Sequence, residues 1–287
     1  MEKIAYNDFW QSIHADADNR HLPLRVMFEL TYKCNFNCRH CYVPKSWRRK
    51  KELDTKSVLD IIKQLRDAGC FYLGFTGGEI FMRTDIWKIL KFSRKQGMQI
   101  ILYTNGSLLD KKNSQRIADM GVNKVDITLP GISEKVFDNV TGVRGSQKAV
   151  FSAIDHLHRD KVNLGFKTCL LKANKSEIKA IEAFCAGIKS PHRLDDALSP
   201  PIDRLPVNRI TPQKLFKCGG GISQCAITPV GQVKLCPLVD WPKIKISRNK
   251  KFHQIWEKLP KMIKAGECVK PCPCTLGRLR EELCAIQ

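Results

Sequence analysis

Residues Leu24–Val43, LRVMFELTYKCNFNCRHCYV, decide the fold. The apolar run Leu24–Thr31 has the length and residue types of a buried strand. It delivers the chain straight into a loop carrying Cys34, Cys38 and Cys41, with three and then two residues between them. Three thiolates this close together suit a metal centre, and no fourth soft ligand follows at matching spacing. A structural zinc site takes four ligands, usually in pairs such as C-x2-C. Thiolates equally suit an iron–sulfur cube, where three of them leave one iron open. A zinc loop closed by His40, or simply buried thiols, stands beside that reading.

Outward from this loop, strands alternate with helices. A helix starts at Asp54 or Thr55 and carries Val58, Ile61, Ile62 and Leu65 on one face as far as Gly69. Strands are expected over 71–75, 99–103, 124–128 and 163–171, and HRLDDALS from His192 offers a sixth. Between them lie a helix with Ile86, Ile89, Leu90 and Ser93 inward, a weakly periodic one ending near Met120, one over 147–159, and one over 175–186. Such alternation implies parallel strands with right-handed crossovers and a ligand site at the strands' carboxyl edge. The predicted architecture is α/β, a partial (β/α)6 TIM-like barrel over 23–210, after a polar lead-in over 1–22 and before a small cysteine-rich region over 211–287.

The polar and glycine-bearing motifs fall at that edge: Gly77-Gly78-Glu79 after the second strand, Thr104-Asn105-Gly106 after the third, and DITLPG around Thr128 after the fourth. Glycines there allow close backbone approach, and a carboxylate pairs with an ammonium. Together with the three-cysteine loop, FTGGEIFMRTDI and LYTNGSLL, these motifs resemble the radical S-adenosylmethionine (radical SAM) superfamily. The resemblance implies that Cys34, Cys38 and Cys41 hold a 4Fe-4S cluster whose open iron chelates S-adenosylmethionine. It places Gly77, Gly78, Glu79, Asn105, Thr128 and Arg144 around the cofactor, with His40 and Tyr42 packing on its adenine. An electron donor such as flavodoxin or ferredoxin is implied as a partner.

Seven of the thirteen cysteines lie beyond the last barrel helix: Cys218, Cys225, Cys236, Cys268, Cys272, Cys274 and Cys284. The run CGGGISQCAITPVGQVKLCPL, with a hairpin expected at Gly231, resembles the SPASM or twitch extension of these enzymes. The resemblance implies one or two auxiliary 4Fe-4S clusters on Cys218, Cys236, Cys268, Cys272, Cys274 and Cys284. Cys225 fits no slot in that pattern. It reads either as a thiol returning a hydrogen atom to a substrate radical, as an epimerase needs, or as a further ligand or buried thiol.

Relatives with this extension commonly modify ribosomally made peptides by epimerisation or by thioether or carbon–carbon crosslinking. Others act on small molecules or cofactor precursors. A formal net charge of +21 gives a field suited to an acidic precursor peptide, and the basic loop of Lys45, Arg48, Arg49, Lys50 and Lys51 sits next to the cysteines. An RNA modifier also fits the charge, but no aromatic-interleaved basic stripe supports nucleic-acid binding. The amino terminus lacks the apolar core of a signal peptide and no apolar run is long enough to span a bilayer, so the expectation is a reducing cytoplasm without membrane contact.

Overall fold

The computed structural model describes residues 6–195, 220–237 and 242–259. Strand β1 (Arg25–Thr31) is its centre. Val26, Phe28 and Leu30 are fully buried on one face, while Arg25, Met27, Glu29 and Thr31 take the other. Helix α2 (Thr55–Asp67) begins where the Asp54 carboxylate accepts from the Ser57 amide at 2.8 Å. It buries Val58, Ile61, Ile62 and Leu65 against the first face, each worth about 1.5–3 kcal/mol. An Ile62→Asp change would strand a charge there and break the packing.

The same unit repeats through β2 (Tyr72–Gly77), α3 (Ile86–Lys95), β3 (Gln99–Thr104), α4 (Lys111–Asp119), β4 (Lys124–Thr128), α5 (Glu134–Thr141), α6 (Ser146–Arg159), β5 (Leu164–Cys169), α7 (Ile178–Gly187) and β6 (His192–Asp195). All six strands run parallel, side by side in chain order. The helices cover one face of the sheet. Its other face is a lumen open at both sheet edges, the incomplete barrel expected from the sequence.

Three features add to the expectations. Within the lead-in, Tyr6–Asn19 is a helix, α1. Its Ala17 is buried, and the His14 ring lies parallel to that of Tyr72 with centroids 6.5 Å apart, so α1 packs near the amino ends of the strands. Helix α5 was not anticipated; Ser133 caps it, and Phe137 and Val140 are its buried stripe. The boundary at 210/211 does not divide the sheet. Strand β7 (Gln224–Ile227) pairs in parallel with β1, and β8 (Gln232–Lys234) and β9 (Ile244–Lys245) extend the sheet antiparallel to nine strands. The β7–β8 hairpin turns at Gly231 with φ +79°. Beyond it α8 (Phe252–Trp256) stacks Trp256 on His21 at 4.7 Å, which ties the extension to the chain just past α1. Cys218, Cys268, Cys272, Cys274 and Cys284 lie outside the described residues, as does HRLDDALS past Asp195.

Candidate active site

The cysteine loop leaves β1 at the carboxyl edge and is fastened on every side. Glu52 accepts from Thr31 Oγ1 at 2.9 Å and from the Tyr32 amide at 2.7 Å. Arg48 donates through Nη2 to Phe36 O at 2.9 Å and through Nη1 to Cys34 O at 3.3 Å. It therefore grips the loop, and is not simply one of a solvated run of cations. Across the mouth, the Asn37 and Arg39 amides donate to Thr141 O and Val140 O, both at 2.9 Å.

The segment Gly77-Gly78-Glu79 closes against the same loop. The Gly78 amide donates to Thr31 O at 2.7 Å and the Glu79 amide to Lys33 O at 2.8 Å. A Cβ on Gly77 would meet Thr31 O at 2.3 Å, and one on Gly78 would meet Lys33 O at 2.1 Å. Both glycines are thus required by the approach of two backbone segments. The Glu79 carboxylate is fully buried and accepts from Thr104 Oγ1, the Asn105 amide and the Phe81 amide. Burial pushes its pKa up and those donors pull it back. Those bonds fasten the β2 and β3 turns together.

Asn105 is held at the loop, its Nδ2 donating to Asn35 Oδ1 at 2.9 Å and lying 3.9 Å from Cys34 Sγ. The Tyr42 hydroxyl reaches into the lumen and donates to Glu29 Oε1 at 2.8 Å; burial and that carboxylate raise its pKa. His40 Nδ1 is buried without a hydrogen-bond partner, and burial, helped by Lys167, lowers the ring's pKa to about 4. Thr128 ends β4 on the lumenal side, in register with Lys167. Arg144 is exposed, three residues past Thr141 on the α5–α6 loop that touches the cysteine loop.

Cys34, Cys38 and Cys41 are half-buried free thiols. Burial, and then the charges of Cys34 and Cys41, push the Cys38 thiol up to about 12. Three mutually opposed thiolates in a partly buried loop need a strongly cationic body among them, so the donor set fits an iron–sulfur cluster. Among the described residues no three His, Cys, Asp or Glu side chains gather as ligands of a single ion.

Of the readings of Cys225, its surroundings are those of a buried thiol. It sits on β7 opposite Val26, fully buried in the core that faces the helices, and its neighbouring thiol is Cys70, which precedes β2. That is the wrong face of the sheet and the amino half of the strands. The lumenal thiol is instead Cys169, at the carboxyl end of β5, with Cys38, Lys167 and Asp195 acting on it. The β-strand alternation of LGFKTC, with Phe166 inward to the helices, was the signal available for it. Cys236 follows β8 and is half-buried.

A six-stranded parallel half-barrel with three thiols on the loop after its first strand defines the class. Residues 28–185 match the family model for the Radical SAM superfamily, and the chain belongs to that superfamily. Its relatives include Fe-coproporphyrin III synthase of Methanosarcina barkeri, 29% identical over 157 residues, 54% of this chain and 39% of that protein. Mycofactocin maturase MftC of Mycolicibacterium smegmatis is 25% identical over 280 residues, 82% of this chain and 70% of that protein. The chain spans about two fifths of the length of the first haem-type relatives it matches. In fold it is similar to Streptococcus suis SuiB bound to S-adenosylmethionine, with TM-score 0.70 and 13% identity over 98% of this chain and 75% of that one. SuiB bound to its precursor peptide SuiA gives TM-score 0.69 at 14% identity, over 89% and 71%. Among the described residues no helix is long and apolar enough to cross a membrane.

Proposed function

We propose that this radical SAM enzyme modifies a ribosomally synthesised peptide, by epimerisation or by thioether or carbon–carbon crosslinking. The observation that carries the reading is the cysteine loop spanning the mouth of a polar lumen. The match to a peptide maturase over 82% of this chain and 70% of that protein supports it. Cys34, Cys38 and Cys41 would hold the cluster, and Gly77, Gly78, Glu79, Asn105, Thr128, Arg144, His40 and Tyr42 would border the S-adenosylmethionine. When bound, these groups supply an electron and a 5'-deoxyadenosyl radical.

This chain's own residues do the rest. Glu52, Arg48 and the backbone bonds from Gly78 and Glu79 hold the loop rigid over the strand ends, so the reacting groups are positioned before substrate arrives. The loop, α5 and α6 wall the mouth against water. Cys236, with Cys218, Cys268, Cys272, Cys274 and Cys284, would serve one or two auxiliary clusters. The substrate is an acidic precursor peptide, reductant comes from a flavodoxin or ferredoxin, and the chain works in a reducing cytoplasm.

The match to Fe-coproporphyrin III synthase favours a second reading, a small molecule or cofactor precursor as substrate. Anaerobic protein incubated with reductant, S-adenosylmethionine and a small peptide encoded beside its gene, in heavy water, separates them. Release of 5'-deoxyadenosine with deuterium gain in the peptide means epimerisation, and loss of two hydrogens means crosslinking. Release of 5'-deoxyadenosine with the peptide unaltered would reject the peptide reading. No release, with the Cys38→Ala variant behaving identically, would reject radical chemistry.

A further inference from the structure

Among the described residues two large apolar side chains are exposed, Met82 at 40% and Leu108 at 38%. Scattered singly, such residues need no explanation. These two fall on neighbouring loops at one edge of the sheet. Met82 closes the short turn Ile80–Met82 that follows β2 and packs on β3, and Leu108 lies on the loop that leaves β3. Aromatic contacts carry the patch onward to α4. The ring centroid of Phe81, next to Met82, is 5.7 Å from that of Trp87 on α3, and the Arg116 guanidinium lies over Trp87 at 3.9 Å. Arg116 is one helical turn from Lys112 on α4, and Asn113 of that helix donates to Leu108 O at 3.4 Å. The result is a continuous surface with an apolar centre and a cationic border.

This surface adjoins the cysteine loop on the side away from the lumen. Ser107, which precedes Leu108, accepts through its hydroxyl from Asn35 at 2.8 Å, and Asn105 Nδ2 lies 3.9 Å from Cys34 Sγ. Beyond Met82 and Leu108 the chain enters the helix layer, where Ile86 and Leu109 are buried in the core. Lys33 beside Cys34, and Lys111 and Lys112, are exposed, and neither they nor Arg116 forms an ion pair among the described residues. Asp110 is occupied in capping α4, accepting from the Asn113 amide at 2.8 Å. Lys111 and Lys112 stand in the first turn of α4, which holds no acidic residue. A helix amino end carries partial positive charge and disfavours cations. Two lysines there work against the helix, and point to an anion supplied from outside.

We propose that this patch is the docking surface for the one-electron donor, a small acidic redox protein of the flavodoxin or ferredoxin kind. Met82 and Leu108 form the apolar contact, and Lys33, Lys111, Lys112 and Arg116 meet the donor's carboxylates. Redox encounters use small interfaces, under about 1,200 Å², and charge complementarity sets how fast they form. One electron leaves the donor's reduced centre, oxidising it by one, and reduces by one the cluster that Cys34 would help hold. Reductant and substrate thus reach the cysteine loop from opposite sides. The proposal rests on the cysteine loop as a cluster site, and not on the peptide as substrate.

The test is binding of oxidised flavodoxin to cluster-reconstituted full-length protein, by titration calorimetry at about 50 and about 200 mM salt. Wild type should bind, and more weakly as salt rises. Lys111→Glu with Lys112→Glu should weaken binding at least about tenfold at the lower salt, the gap narrowing at the higher; these changes favour α4 itself, so unfolding would not account for the loss. Met82→Ser with Leu108→Ser should weaken binding about tenfold at both. Both pairs should keep wild-type iron content and release 5'-deoxyadenosine normally with dithionite, a small reductant that needs no docking, while flavodoxin-driven release falls. Lys63→Glu with Lys179→Glu, exposed on α2 and α7, alters net charge equally and should bind as wild type. Equal weakening by that control would assign the attraction to the overall field, and unaltered binding in both test pairs would place the donor elsewhere; either overturns the proposal. If wild type does not bind flavodoxin, a ferredoxin is the second probe, and binding of neither overturns it as well. Dithionite-driven release is read without peptide, so its absence in wild type removes the cluster reading, and this proposal with it, while leaving the substrate question apart.

Discussion

Replacing Gly78 by alanine tests whether the glycine pair serves the cysteine loop. The new Cβ would lie 2.1 Å from Lys33 O, 2.7 Å from Lys33 C and 2.9 Å from Tyr32 O. All three are backbone atoms and cannot swing aside, so the two segments must part by about 1 Å to reach ordinary contact. Parting them weakens the Gly78 amide bond to Thr31 O and the Glu79 amide bond to Lys33 O, each worth about 0.5–1.5 kcal/mol net. With residual backbone strain the cost is about 2–4 kcal/mol, a fall in Tm of roughly 5–15 °C for a chain of this size. Calorimetry measures this, and iron and sulfide per chain after anaerobic reconstitution measures whether the thiols still converge. Gly187→Ala, at the end of α7 with nothing near its Cβ, is the control and should change Tm by no more than about 3 °C. If Gly78→Ala melted with wild type and took up the same iron, the close-approach argument would fail.

Cys225→Ala should cost about 1–2 kcal/mol through the small cavity it leaves and preserve both 5'-deoxyadenosine release and peptide product; product loss with iron intact would reinstate the thiol as a participant. Asp85 accepts from Arg83 Nε and Nη2, both at 2.8 Å, and from Thr55 Oγ1 at 2.6 Å. The Arg83 bonds, then Thr55, hold its carboxyl below the usual 3.8 against the effect of burial. A depressed folded-state pKa gives stability that is present above the unfolded value and lost as pH falls through the folded one. Asp85→Asn should therefore cost about 1–3 kcal/mol at pH 7, and urea melts should show the gap closing as the pH falls below the usual carboxylate range; a gap independent of pH would contradict this. Arg48→Met should lose iron to a chelator at least about tenfold faster than wild type, the loss expected from removing about 1.4 kcal/mol of loop clamping, with Arg48→Lys intermediate, and equal rates would deny the clamp.

The strands were legible because a buried parallel sheet leaves apolar runs that few other structures need, and β1 to β5 fell within two residues of their observed ends. Helices with broad apolar stripes, such as α2 with Val58, Ile61, Ile62 and Leu65, were equally plain. Helix α5 escaped because two turns bury only Phe137, Val140 and Thr141, too few positions to fix a period. Helix α1 escaped because its polar residues dominate and its contact with Tyr72 is made through His14. Cys225 kept two readings for a different reason: spacing along a chain says which residues are near in sequence, but not which face of a strand they take. Only its register with Val26 reveals that.

The carboxylates at the mouth follow the same logic. Glu52 and Glu79 each accept from a backbone amide and a threonine hydroxyl and so fix a turn. Glu29 receives Tyr42 from the cysteine loop itself. The frame around the cysteine loop is therefore secured by carboxylates from β1, from the segment before α2 and from the turn after β2.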